Sequence, residues 1–151
     1  MIAGAFGGPE VLSVVEEPVP DPGPGEARIE VRAAGVNPVD VKSYSGAFGT
    51  DPSRLPIRLG AEAAGMVTAI GPDTAGPAGP VRVGDEVIAY RAPGADPGSE
   101  IRQRARLDLA RLAQDGKLRV LVSQTFPLAD AAAAHRVILD GHTAGKIALS
   151  P

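Results

Sequence analysis

Asn37 and Asp40 are spaced so that they could do chemistry together, and Lys42, Tyr44 and Glu62 are further polar side chains with chemistry of their own. Asn37, Asp40 and Val41 or Tyr44 recur at three- and four-residue intervals, so a helix over this stretch presents Asn37 and Asp40 to one pocket. An acid, an ammonium group and a phenol within reach of one another can move a proton or polarise a carbonyl. Each has a plainer reading as well. Asn37 suits a helix-start hydrogen bonder as well as a pocket group, and Asp40 and Lys42 suit a solvated helix face.

Glu62 poses a separate problem. It is flanked by Gly60, Ala61, Ala63, Ala64 and Gly65. A carboxylate with no polar neighbour in sequence must be exposed, neutralised, or hydrogen-bonded by a distant group. The two histidines, His135 and His142, could form a metal pair, but no third ligand accompanies them. His135 reads better as a packed helix residue. Arg102, Arg104, Arg106 and Arg111 read as a solvated helix face. No G-x-S-x-G or other nucleophile motif is present, and the absence of cysteine excludes disulfides, thiolate zinc sites and a thiol nucleophile.

The elements that must position these groups follow from periodicity and punctuation. Residues 1–6 and 11–17 read as a hairpin around Gly7-Gly8-Pro9, and the prolines at 18, 20, 22 and 24 make a stiff surface loop. Ala27, Ile29, Val31 and Ala33 alternate with Arg28, Glu30 and Arg32, which predicts a strand with the apolar set inward, ending at Gly35. Asn37-Pro38 opens a short helix over 39–45. The stretch Leu59–Gly71 carries Glu62 at the mouth of a strand, 71–84 is a Gly/Pro-rich turn region, and 85–90 is another strand. Residues 91–100 read as a linker. Ser99 can cap a helix whose apolar positions Ile101, Ala105, Leu109, Leu112 and Ala113 keep helical spacing until Gly116. A strand over 118–123, a helix over 128–139 stopped by Gly141, and a strand over 144–149 complete the chain.

At 151 residues the sequence predicts one domain. It is 44% hydrophobic but only 3% aromatic, so its core must be aliphatic. A net charge of −3 offers no general attraction to nucleic acid or to an anionic membrane, and neither partner is expected. No leader or membrane-length apolar run is evident, and a cytoplasmic location is the expectation.

Taken together, Gly35-Val-Asn-Pro-Val-Asp-Val-Lys42, Leu59–Gly71 and Val83-Gly-Asp-Glu-Val87 resemble, in order and spacing, the catalytic domain of the medium-chain dehydrogenase/reductases, in particular their zinc-independent quinone oxidoreductase branch. Residues 1 to about 91 resemble the N-terminal part of that domain. Residues from about 106 to 150 resemble its C-terminal return, including Thr125-Phe-Pro-Leu128, Ala134-His135-Arg136 and Gly145-Lys146. The resemblance implies a mainly β fold with peripheral helices, a GroES-like partly open barrel. It is built as a single domain over 1–151 from 1–91 and 101–151, joined by a short linker over 92–100 where the family places its cofactor domain.

A dinucleotide site needs a strand, a G-x-G-x-x-G turn opening a helix, and a ribose-reading residue about 20 positions on. No such run occurs, so no Rossmann domain and no cofactor are expected for this chain, although full-length relatives use NADPH. The zinc-dependent branch has a cysteine where Asn37 stands and a histidine where Ala61 stands, so no metal is expected either. The resemblance makes Asn37, Asp40, Lys42 and Tyr44, with Phe48, cleft candidates, and Glu62 a structural acid held by backbone or arginine contacts.

Three functions follow: a quinone oxidoreductase-like domain unable to transfer hydride alone, a non-redox isomerase or cyclase using Asp40, Lys42 or Tyr44, or a binding or assembly module. A small apolar or quinone-like ligand and a homodimer are the expected partners. The dimer would form through the face that domain loss leaves bare, unless the helix at 99–115 folds back over it.

Overall fold

The computed structural model describes residues 1–90 and 100–151. Its strands are β1 (Ile2–Ala3), β2 (Leu12–Ser13), β3 (Ala27–Val36), β4 (Ile57–Arg58), β5 (Glu62–Ile70), β6 (Ala75–Gly76), β7 (Gly79–Pro80), β8 (Glu86–Tyr90), β9 (Val122–Pro127) and β10 (Lys146–Ser150). Its helices are α1 (Pro38–Tyr44), α2 (Glu100–Gln114) and α3 (Ala131–Asp140). A five-stranded sheet runs in the order β8-β5-β3-β10-β9, a three-stranded one in the order β2-β1-β4, and β6 and β7 form a two-stranded ribbon. Neither larger sheet closes on itself, and the architecture is the mainly β, partly open GroES-like fold with helices at its periphery.

β3 is the axis. It pairs antiparallel with β5 on one side and with β10 on the other, so the last strand of the chain lies beside one that begins at residue 27. The period-two pattern expected of β3 does not run unbroken, because the register shifts between Arg28 and Ile29 and again between Val31 and Ala33. The first shift leaves Thr68 of β5 as the extra residue and the second leaves Arg32 of β3, after which the β3 side chains change face. Val31 is exposed. Gly65 is buried opposite Val31, and a Cβ there would overlap the Glu30 carbonyl oxygen, so the close approach of β3 and β5 requires glycine.

The opening hairpin is reduced to two paired residues on each strand, Ile2 with Ser13 and Ala3 with Leu12. The strand expected over 118–123 lies later, at 122–127, where it can run parallel to β10. Helix α3 starts three residues later than expected, after a 3-10 turn over Leu128–Asp130, and ends at Gly141 in the left-handed region, φ 71°. Ser99, the linker over 91–99 and the side chain of Ile101 lie outside the described residues.

Two apolar clusters hold the layers together. Val36, Ala131, Ala134, Ile147 and Leu149 join β3 and β10 to α3. Ala3, Val41 and Tyr44 join β1 to α1, and Ile138 touches both clusters. Burying one side chain such as Ile147, which is fully covered, contributes roughly 1.5–3 kcal/mol. Among the described residues of α2 none joins either cluster: Leu109 and Leu112 are 52% and 40% exposed, so these two do not cover the sheet. Arg106 lies over the exposed ring of Tyr90 at 5.6 Å, while Arg104 and Arg111 face solvent. Among the described residues no helix is long and apolar enough to cross a membrane.

Candidate functional site

Where β3 ends, Asn37 leaves the sheet in an extended conformation and Pro38 begins α1 with the proline ring supplying the helical φ. The Asn37 side chain turns to the neighbouring strands. Its Nδ2 donates to Glu62 Oε1 at 3.3 Å, and its Oδ1 accepts from Lys146 Nζ at 2.5 Å. Lys146 also forms an ion pair with Glu62, both side chains being about 30% exposed. The three groups close a triangle drawn from the end of β3, the start of β5 and the start of β10. Glu62 is therefore neutralised by a lysine, where a backbone or arginine partner was expected.

Gly35 makes room for this triangle. A Cβ at that position would overlap the Glu62 carboxylate and come within 2.7 Å of Lys146 Cε. Lys146 was legible only as part of a Gly-Lys pair opening the last strand. The signal that could have singled it out is Glu62 itself, an acid that required a distant cation.

The other sequence candidates do not meet here. Asp40 is buried, and both its oxygens are engaged: Oδ2 accepts from the Asn37 N–H at 2.9 Å, and Oδ1 from the Gly60 N–H at 3.3 Å. It is neither a solvated face nor a free acid, because the helix start and the loop before β5 are tied together through it. Lys42 is exposed on α1. Tyr44 is fully buried, with its hydroxyl 3.1 Å from His135 Nδ1. Burial, reinforced by the charges of Glu10 and Asp40, pushes its phenol up to about 12. Burial likewise holds His135 below the ordinary imidazole range, with Asp40 opposing in part. Phe48 and His142 are exposed. Lys42 is thus apart from Asp40 and Tyr44, which are both buried and hydrogen-bonded inside the protein.

An open cleft of about 310 Å³ adjoins the triangle, lined by Val36, Asn37, Pro38, Ile138, Gly141, Thr143, Gly145, Lys146 and Ile147. Its walls are mostly apolar, and Lys146 is the sole ionisable lining group among the described residues.

The fold and this site define the GroES-like class of substrate domain. Residues 23–113 match the alcohol dehydrogenase GroES-like domain family. The chain belongs to that family, on the quinone oxidoreductase-like side of the medium-chain dehydrogenase/reductase superfamily. It is 40% identical over 82 residues to a quinone oxidoreductase of Salmonella typhimurium, a match covering 54% of this chain and 23% of the relative. The chain thus spans about a quarter of the length of the curated relatives it matches. The structure of the quinone oxidoreductase from Coxiella burnetii superposes with a TM-score of 0.75 at 16% identity, covering 99% of this chain and 98% of that one. A mycobacterial quinone oxidoreductase superposes with a TM-score of 0.51 at 30% identity, covering 83% and 43%.

The residues do not fit a catalytic zinc. Ala61 has no donor atom, the Asn37 amide is spent on Glu62 and Lys146, and an ammonium group beside them repels a cation. The fit to a dinucleotide is no better. β9 and β10 are the parallel pair among the described strands, with α3 as their crossover. The turn into that helix, Pro127-Leu-Ala-Asp130, has no glycine to admit a pyrophosphate. Ala131 at the helix start is buried.

Proposed function

We propose that these 151 residues form the substrate-side domain of a zinc-independent quinone oxidoreductase-like protein, and that by themselves they do not transfer hydride. The observation that carries this reading is the glycine-free turn at Pro127–Asp130 in the β9-α3-β10 unit, together with the lack of a G-x-G-x-x-G run anywhere in the sequence. The matched relatives are named quinone oxidoreductases, and the structure of the one from Escherichia coli is of its complex with NADPH, a hydride donor. What this chain supplies is the other half. The cleft at Lys146 offers apolar contact from Val36, Ile138 and Ile147, and an ammonium group to orient an acceptor oxygen.

The test is an NADPH oxidation assay with 1,4-benzoquinone as acceptor. The reading expects no rate above the protein-free control, and turnover proportional to protein concentration refutes it.

Self-association belongs to the same reading. Ile88 and Tyr90 on β8, and Leu109 and Leu112 on α2, are exposed apolar groups that one molecule leaves uncovered. A two-fold dimer is the commonest way to cover such a surface.

A further inference from the structure

We propose that Lys146 is a ligand-binding donor, and that Glu62 sets its selectivity, so that the cleft beside the triangle takes a neutral carbonyl compound in preference to an organic anion. An ammonium group has three donors. Lys146 spends one on Glu62 and one on Asn37 Oδ1, which leaves a third at a cleft that Lys146 lines. Thr143, the hydroxyl residue of the lining, directs its proton to the Val137 carbonyl at 3.3 Å, and the Lys146 backbone N–H is taken by the Leu121 carbonyl at 2.7 Å. Asn37 Nδ2 gives one N–H to Glu62 and keeps its second as a neutral donor, so the side chain of Lys146 is the charged donor at the cleft.

Its charge is offset by Glu62 in direct contact, so an incoming carboxylate meets the Glu62 negative charge almost as closely as the ammonium. A ketone or enone oxygen accepts the third N–H without that repulsion, and the apolar walls take its ring. The volume of about 310 Å³ accommodates one or two fused rings. This inference rests on the substrate-side reading above. Its titrations contain no cofactor, so their outcome is separate from that of the NADPH assay.

The experiment is an amide-resolved NMR titration of the full chain with 1-tetralone, a neutral bicyclic ketone, and with 1-naphthoate, an anion of similar size. Saturable shifts at residues 36, 37 and 141–147, with 1-tetralone bound at least fivefold more tightly than 1-naphthoate, are expected. Lys146→Met should weaken 1-tetralone about tenfold. Glu62→Gln should improve 1-naphthoate by a similar factor, because the ammonium charge is then unopposed. Lys146→Met leaves Glu62 without its cation. If that variant does not fold, the Lys146→Met/Glu62→Gln double variant, with a neutral pair, takes its place in the 1-tetralone arm. Absence of saturable shifts at those amides, tighter binding of 1-naphthoate by the wild type, or undiminished 1-tetralone binding without the ammonium group would each overturn the proposal.

Discussion

Lys146 donates to Asn37 across 109 positions of sequence, and the same ammonium group neutralises Glu62. The end of β3 and the heads of β5 and β10 therefore meet through three side chains, and removing Lys146 or Glu62 leaves the other charge without its counter-ion. Lys146→Met leaves a half-buried carboxylate without its cation and should cost roughly 1–3 kcal/mol. Glu62→Gln should cost less, since a partly exposed ammonium regains water. The double variant should be more stable than the sum of the singles by about 1 kcal/mol, read from urea unfolding. Additive costs would mean that the pair is not coupled.

Asp40 supports α1 and the loop before β5 at once. Asp40→Ala removes the acceptor for both the Asn37 and Gly60 N–H groups, and about 2 kcal/mol of stability should go with it. Asp40→Asn should recover little of this, because its amide N–H₂ would face one of two donors. A loss below about 0.5 kcal/mol in urea unfolding would contradict the two-sided role.

The buried Tyr44–His135 pair sets both ends of the pH range. His135 has a folded-state pKa below its unfolded value near 6.5, so the unfolded chain takes up a proton that the folded chain resists. Stability is full above that pH and falls as the solution is acidified through it, by at most about 1.4 kcal/mol per unit. Tyr44, raised to about 12, has the opposite limb. Above pH 10 the unfolded phenol ionises first, and roughly 2–3 kcal/mol is lost by pH 12. Melting temperatures from pH 5 to 11 should show a plateau between these limbs, and Tyr44→Phe should flatten only the alkaline one.

How much of this was legible beforehand depended on the range over which each signal acts. The helix at Asn37-Pro38 was readable because its start is written in adjacent residues, and the strand character of 62–70 because its composition is local. The faces of β3 were not, since the two register shifts depend on how β5 sits opposite it. Tyr44 looked like a cleft residue from its spacing to Asn37 and Asp40, yet it faces a histidine 91 positions away. Glu62 announced that it needed a partner without naming it. Lys146 comes from a strand whose position beside β3 is a tertiary fact.

Leu109 and Leu112 remain uncovered on α2, and the proposed dimer gives them a place. Sedimentation velocity at tens of micromolar should show a dimer for the wild type and a monomer for Leu109→Asp. A monomeric wild type removes the dimer, and a dimeric variant removes α2 from its interface.

The central claim, that these 151 residues carry a substrate domain without a nicotinamide site, is tested most directly by thermal unfolding with millimolar NADPH. A ligand at a hundred times its dissociation constant adds about 2.7 kcal/mol, a rise of roughly 5–10 °C for a chain of this size. The account predicts no saturable shift with NADPH or NADH. A dose-dependent, saturating rise would contradict it.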